Sequence, residues 1–196
     1  MLRIITLAIA LLIIPVASAI GQDWQKGYSA YESGDYATAL REFRLLANQG
    51  NAAGQFSLGV IYSNGEGVPQ DYKAAKEWYI LAAKQEHAPA QYNLGQIYYY
   101  GEGVPQDYKA AAKWWKLAAE QGHAPAQYNL GQIYYSGEGT IQDNVYAHMW
   151  WNIAASSGQK NAANNRDVVA GLMTPADISK AQDLARECVA KNYKGC

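Results

Sequence analysis

Three histidines, the three glutamates of the GEG loops and two cysteines are the side chains of this sequence whose types and spacing could do chemistry. Their spacing decides what chemistry that would be. His87 and His123 stand 36 residues apart inside the same run of letters, so they occupy equivalent places in successive units. Packed helical units put such places about 10 Å apart, which is too far for two ligands of one metal ion. His148 falls in another part of the unit. Glu66, Glu102 and Glu138 keep the same period, each between two glycines. Paired carboxylates can divide acid and base work, but these lie one period apart with no second group beside them, and they read as solvated turn charges. The GEG loops are followed by no G-K-[ST] and preceded by no strand, so they are no phosphate cradle. No G-x-S-x-G or S-x-x-K is present, and Ser156-Ser157-Gly158 reads as a helix end. No catalytic residue, metal or cofactor is assigned, and a non-enzyme is expected.

The elements that carry these residues are repeated ones. "HAPAQYNLGQIYY" is written at 87–99 and again at 123–135, and "GEGVPQDY" at 65–72 and 101–108, followed by "GEGTIQDN" at 137–144. A fixed period of this length marks a solenoid, in which one supersecondary unit stacks on the next. Each unit reads as two helices. In the first, Ala90, Leu94, Ile97 and Tyr98 fall on one stripe of a 3.6-residue period. Gly101 permits the left-handed turn that ends it, Pro105 cannot continue it, and Asp107 caps the second helix. Ala110, Trp114, Leu117 and Ala118 are expected on one face of that second helix. Gly95, like Gly59 and Gly131, lies in the middle of a helix at a cost of about 1 kcal/mol against Ala. Close approach of two helices would explain it.

The ends differ from the middle. "MLRIITLAIALLIIPVASA" has an early cation, an apolar run and small residues before Ile20, the layout of a signal peptide cleaved after Ala19. Residues 20–51 read as a helix pair with a shorter turn, its helices at about 23–33 and 36–48. Three full units follow at about 52–87, 88–123 and 124–160. In the last of them, Val145 and Met149 replace Lys109 and Lys113. An apolar pair there needs a cover, expected from a C-terminal helical cap over 161–196. Cys188 and Cys196 are the only cysteines, and in an exported chain such a pair reads as a disulfide. The formal net charge of −1 argues against nucleic acid as a main partner. No stable membrane anchor is expected once the signal segment is removed.

The pattern "AQYNLGQIYYYGEGVPQDYKAAAKWWKLAAEQGHA" resembles the Sel1-like repeat, a 36-residue relative of the tetratricopeptide repeat. The matching residues include Ala90, Leu94, Gly95, Tyr98, Gly101, Gly103, Asp107, Ala110, Trp114, Ala118 and Gly122. The resemblance covers about residues 23–160, and the tail "ECVAKNYKGC" looks like that of exported bacterial members. It implies an all-α fold, a right-handed α-solenoid of antiparallel helix pairs, and a role in binding or scaffolding proteins. Some exported, cysteine-rich members have been linked to penicillin binding and weak β-lactam hydrolysis. Those carry a cysteine pair in each repeat, and this sequence has none in any.

Stacking also creates a shared surface. Opposite the Ala90–Leu94–Ile97 stripe lie Tyr92, Gln96 and Tyr99, flanked by Asn93 and Tyr100, and the next unit offers Tyr128, Asn129, Gln132 and Tyr135. Amides can pair with peptide backbone, and tyrosines supply contact area at low entropy cost. The expected function is an exported, periplasmic or secreted scaffold of the bacterial envelope that binds a protein or peptide through this inner face. The alternative is a weak β-lactam- or peptidoglycan-binding or hydrolysing protein.

Overall fold

The same few residues start and stop every helix pair. In the computed structural model, which describes residues 16–196 and side chains from Trp24 onward, ten α-helices follow one another with no strand among the described residues. They are α1 (Val16–Glu32), α2 (Tyr36–Asn48), α3 (Ala52–Asn64), α4 (Tyr72–Ala83), α5 (Ala88–Tyr100), α6 (Tyr108–Ala119), α7 (Ala124–Ser136), α8 (Asn144–Ser156), α9 (Lys160–Ala170) and α10 (Pro175–Ala190). The expected signal segment, residues 1–19, lies outside the described residues except for its last four, which open α1.

Each GEG loop is built the same way. Gly65, Gly101 and Gly137 end α3, α5 and α7 in the left-handed region, with φ of 73°, 72° and 75°. The loop glutamine then folds back. Gln70, Gln106 and Gln142 donate Nε2–H to the carbonyls of Ser63, Tyr99 and Tyr135 at 2.7–2.8 Å, using acceptors the helix end leaves free. The next residue, Asp71, Asp107 or Asp143, accepts from the first amides of the following helix. The letters "QD" are therefore one cap for each of two helices.

From α1 to α9 each helix packs chiefly on the helix before it and the helix after it, whereas α10 turns back onto α8. The fit within a pair depends on the mid-helix glycine. The Trp115 ring of α6 lies over Gly95 of α5, where any Cβ would collide with the indole, and its Nε1–H donates to the Tyr92 carbonyl at 3.1 Å. Trp151 lies over Gly131 in the same way and donates to the Tyr128 carbonyl at 3.1 Å. Tyr79 covers Gly59, and Phe43 covers Gly27. One aromatic knob on one glycine thus recurs in all four pairs, including the N-terminal one.

This knob corrects the expected face of the second helix. The buried residues of α6 are Ala111, Trp115, Ala118 and Ala119, one position later than Ala110, Trp114, Leu117 and Ala118. Leu117 is 45% exposed, like Leu45 and Leu81 at the same place in earlier pairs. The run KAAAKWWKLAA carries apolar residues on two adjacent faces, so periodicity permits two registers. The glycine opposite Trp115 selects one of them.

At the C-terminal end α9 sits as the first helix of a fourth period. Its buried Ala162 and Val169 stand 36 residues after Ala126 and Ile133, and they pack with Ala147, Trp151 and Ala154 of α8. The other side of α8 is covered by α10, which buries Met149, Trp150 and Ile153 against Ala185 and Cys188. Met149 is thus covered as its apolar character requires, and the cover comes from α10. A disulfide joins Cys188 to Cys196. The tail it closes brings the Tyr193 ring onto Gly122, in the turn between the second and third units.

Candidate partner-binding face

The first helices α3, α5 and α7 place their polar residues in one band. Asn129 of α7 donates Nδ2–H to Gln96 Oε1 of α5 at 3.3 Å, so two residues of the band bridge neighbouring units. Asn93, Gln96, Tyr99, Asn129, Gln132 and Tyr135 are each half-buried, while Tyr100 is 61% exposed. The three tyrosines therefore fall into two roles. The Tyr99 ring lies 5.2 Å from Trp115, and Tyr135 lies 5.6 Å from Trp151. Each is a lid on the knob below it and presents only one edge outward. Tyr100 stands free of that packing, touching Tyr99 edge-on at 5.1 Å.

Along the band the chemistry changes from one end to the other. Near the N-terminal end, Phe56, Ser57 and Val60 of α3 join Trp24, Tyr28, Tyr31 and Phe43 around an apolar cavity of about 100 Å³. In the middle, Asn93 and Gln96 border a polar cavity of about 290 Å³.

The loop glutamates are less solitary than their spacing suggested. Tyr99 donates its hydroxyl to Glu138 Oε2 of the following loop at 3.3 Å. Tyr31 lies beside Glu66 of the loop that follows α3. Burial, reinforced by that carboxylate, pushes the Tyr31 pKa up to about 12. Glu66 and Glu138 thus reach back to the tyrosine of the preceding helix pair, a contact that a one-unit reading of the sequence cannot reveal.

The histidines are packed into the stack. His87 and His123 occupy the N-cap positions of α5 and α7, with rings 4.9 Å from Phe56 and Tyr92. Burial holds both pKa values below the usual imidazole range, with a smaller effect of His87 on His123. A neutral ring suits the place, since His123 Nδ1 accepts from the Ala126 amide at 3.4 Å. Burial likewise lowers the pKa of His148. Among the described residues no group of three His, Cys, Asp or Glu side chains is placed to hold a metal ion. No described helix is long and apolar enough to cross a membrane.

Residues the sequence reading passed over hold the stack in register. Gln91 and Gln127, 3% and 0% exposed, donate Nε2–H to the carbonyls of Ala83 and Ala119 in the preceding helix at 3.2 Å. Their 36-residue spacing was a signal, but a helical glutamine reads as a surface residue until its neighbour is known.

The Sel1 repeat family model matches residues 52–87, 88–123 and 124–159. Among solved structures, a Sel1 repeat protein from Oxalobacter formigenes is similar at 34% identity and a TM-score of 0.61, over 66% of this chain and 97% of that one. The protein c5321, a protective antigen present in uropathogenic Escherichia coli strains and displaying an SLR fold, is similar at 29% identity and a TM-score of 0.54. The match covers 89% of this chain and 46% of that one. Helicobacter pylori cysteine rich protein B shares the fold at 19% identity and a TM-score of 0.53, over 66% of this chain and 93% of that one. No curated protein matches. With the glycine–aromatic knob, the GEG turn and the QD cap recurring through the three matched units, this chain belongs to the Sel1 repeat family.

Proposed function

We propose that this protein is an exported, non-enzymatic scaffold of the bacterial envelope that binds a protein or peptide segment along the inner face formed by α3, α5 and α7. The observation that carries the reading is the Asn–Gln–Tyr band itself, continuous between units through the Asn129–Gln96 hydrogen bond. Repeat proteins use such extended faces because function lies on the stack and not in one reactive residue. The apolar N-terminal segment and the disulfide support export. The binding set is Asn93, Gln96, Tyr99, Tyr100, Asn129, Gln132 and Tyr135.

The test uses residues whose removal leaves the knobs intact. In Tyr100→Ala combined with Gln132→Ala, the melting temperature is expected to stay unchanged while crosslinked capture of the native envelope partner falls at least about tenfold. Full capture by this variant would refute the inner-face reading. Turnover of a chromogenic β-lactam by the purified protein would refute the non-enzymatic one.

A further inference from the structure

One position, the last but one in the first helix of all four pairs, holds Tyr31, Ser63, Tyr99 and Tyr135 in order. The glycine–aromatic knobs fix the alignment, since each of these residues follows its glycine by four. Where the residue is a tyrosine with a loop glutamate in reach, it pairs with that glutamate. Tyr99 donates to Glu138, which also accepts from Ser136 Oγ at 3.3 Å. Tyr31 lies against Glu66, which also accepts from Asn64 Nδ2 at 3.2 Å.

Glu102 has neither of these partners, and the side chain beside it is Tyr72 of α4. Its tyrosine is replaced by Ser63, whose short hydroxyl is engaged with the Val60 carbonyl at 3.0 Å and the Tyr79 hydroxyl at 3.2 Å. Its local partner is replaced by Tyr100, which stands in solvent at the place of Asn64 and Ser136. No ion pair among the described residues holds Glu102. The room left by the missing ring is the polar cavity of about 290 Å³, bordered by Ser63, Asn64, Tyr79, Asn93, Gln96 and Glu102. Its chemistry favours a cation. The Glu102 carboxylate is half-buried there. The Asn64 amide turns its N–H toward Glu66 and so leaves its carbonyl oxygen as an acceptor. The Tyr72 hydroxyl lies beside the same carboxylate, whose charge adds to burial in raising the Tyr72 pKa.

We propose that this cavity is a subsite for a guanidinium group, supplied by an arginine side chain of the protein segment bound along the inner face. A planar fork of N–H donors matches a carboxylate with a further oxygen acceptor nearby. The partner in this statement rests on the inner-face reading, whereas the cavity and its charge preference do not.

The probe is arginine with both ends blocked, N-acetyl-arginine methylamide, titrated into the full-length exported protein while the side-chain amide resonances of Asn64 and Asn93 are followed by NMR. Saturable shifts are expected with this probe and not with the neutral citrulline analogue. Glu102→Gln is expected to weaken the probe about tenfold or more. Ser63→Tyr, which reproduces the arrangement of Tyr99 over Trp115, is expected to abolish the shifts in a folded protein. Equal shifts with citrulline, no shifts with the arginine probe, or unchanged binding by either variant would overturn the subsite. Free arginine binding more than tenfold tighter than the blocked form would overturn its assignment to a protein side chain. A silent titration with partner capture still dependent on Tyr100 and Gln132 discards the subsite alone. A positive titration with capture indifferent to those residues discards the inner-face reading alone.

Discussion

Gln127 is wholly buried and only half satisfied. Its Nε2 donates to Ala119, but its Oε1 has no partner. In the two preceding units the equivalent oxygens, on Gln91 and Gln55, accept from Gln121 and Gln85 at 2.7 and 2.8 Å. The next residue in that series is Ser157, too short to reach. A buried acceptor without a donor costs about 1–3 kcal/mol. Ser157→Gln is therefore expected to stabilise the protein by about 1 kcal/mol, seen as a higher urea midpoint at unchanged slope. An unchanged midpoint would show that the lone oxygen is not costly. The break in the series was visible in the letters, since 85, 121 and 157 keep the period. Its meaning was not, because the donor, in the turn after a second helix, and the acceptor, in the first helix, are 30 residues apart. A separation of 39 residues likewise hid the pairing of Tyr99 with Glu138, whereas Asp107 as a cap and Gly101 as a stop act within a few residues and could be read directly.

Helix pairs owe their fit to the knob on the glycine, and here two local effects compete. Replacing Gly95 by Ala gains up to about 1 kcal/mol of helix propensity. It also sets a Cβ against the Trp115 ring, whose own place is fixed by its hydrogen bond to the Tyr92 carbonyl. Overpacking of a filled core costs about 1–3 kcal/mol, so the clash outweighs the propensity. Gly95→Ala is expected to lower stability by about 1–2 kcal/mol, while Glu102→Ala in the loop stays within about 0.5 kcal/mol. Equal denaturation midpoints for the two variants would contradict the knob. At this scale the number, order and caps of the helices between Tyr36 and Ser156 were legible in the sequence. The face of α6 was not, because alanine and tryptophan border the stripe on both sides. Nor was the periodic place of α9, where Arg166 stands at the position of Leu130 and masks the surviving Ala162 and Val169.

From α1 to α9 the molecule is a sum of like interfaces, since each of these helices rests mainly on its neighbours in the chain, with α10 laid back over α8 as a cap. Removing residues 88–123 joins His87 to Ala124 and restores the same letters at the junction. That deletion is expected to give a folded, helical protein with a lower urea midpoint and a slope reduced by about a fifth, in proportion to the surface lost. A chain without a cooperative transition would show that the units depend on more than their neighbours. The solenoid as a class was plain from the period, whereas the shape of its inner cavities followed from single departures such as Ser63. The neighbour-only packing also has a mechanical meaning. A pull applied between α1 and α9 crosses each interface in turn, so compliances add as they do along a coil of wire. Each contact then yields a little before any one must break, and the protein stretches under load as a spring does.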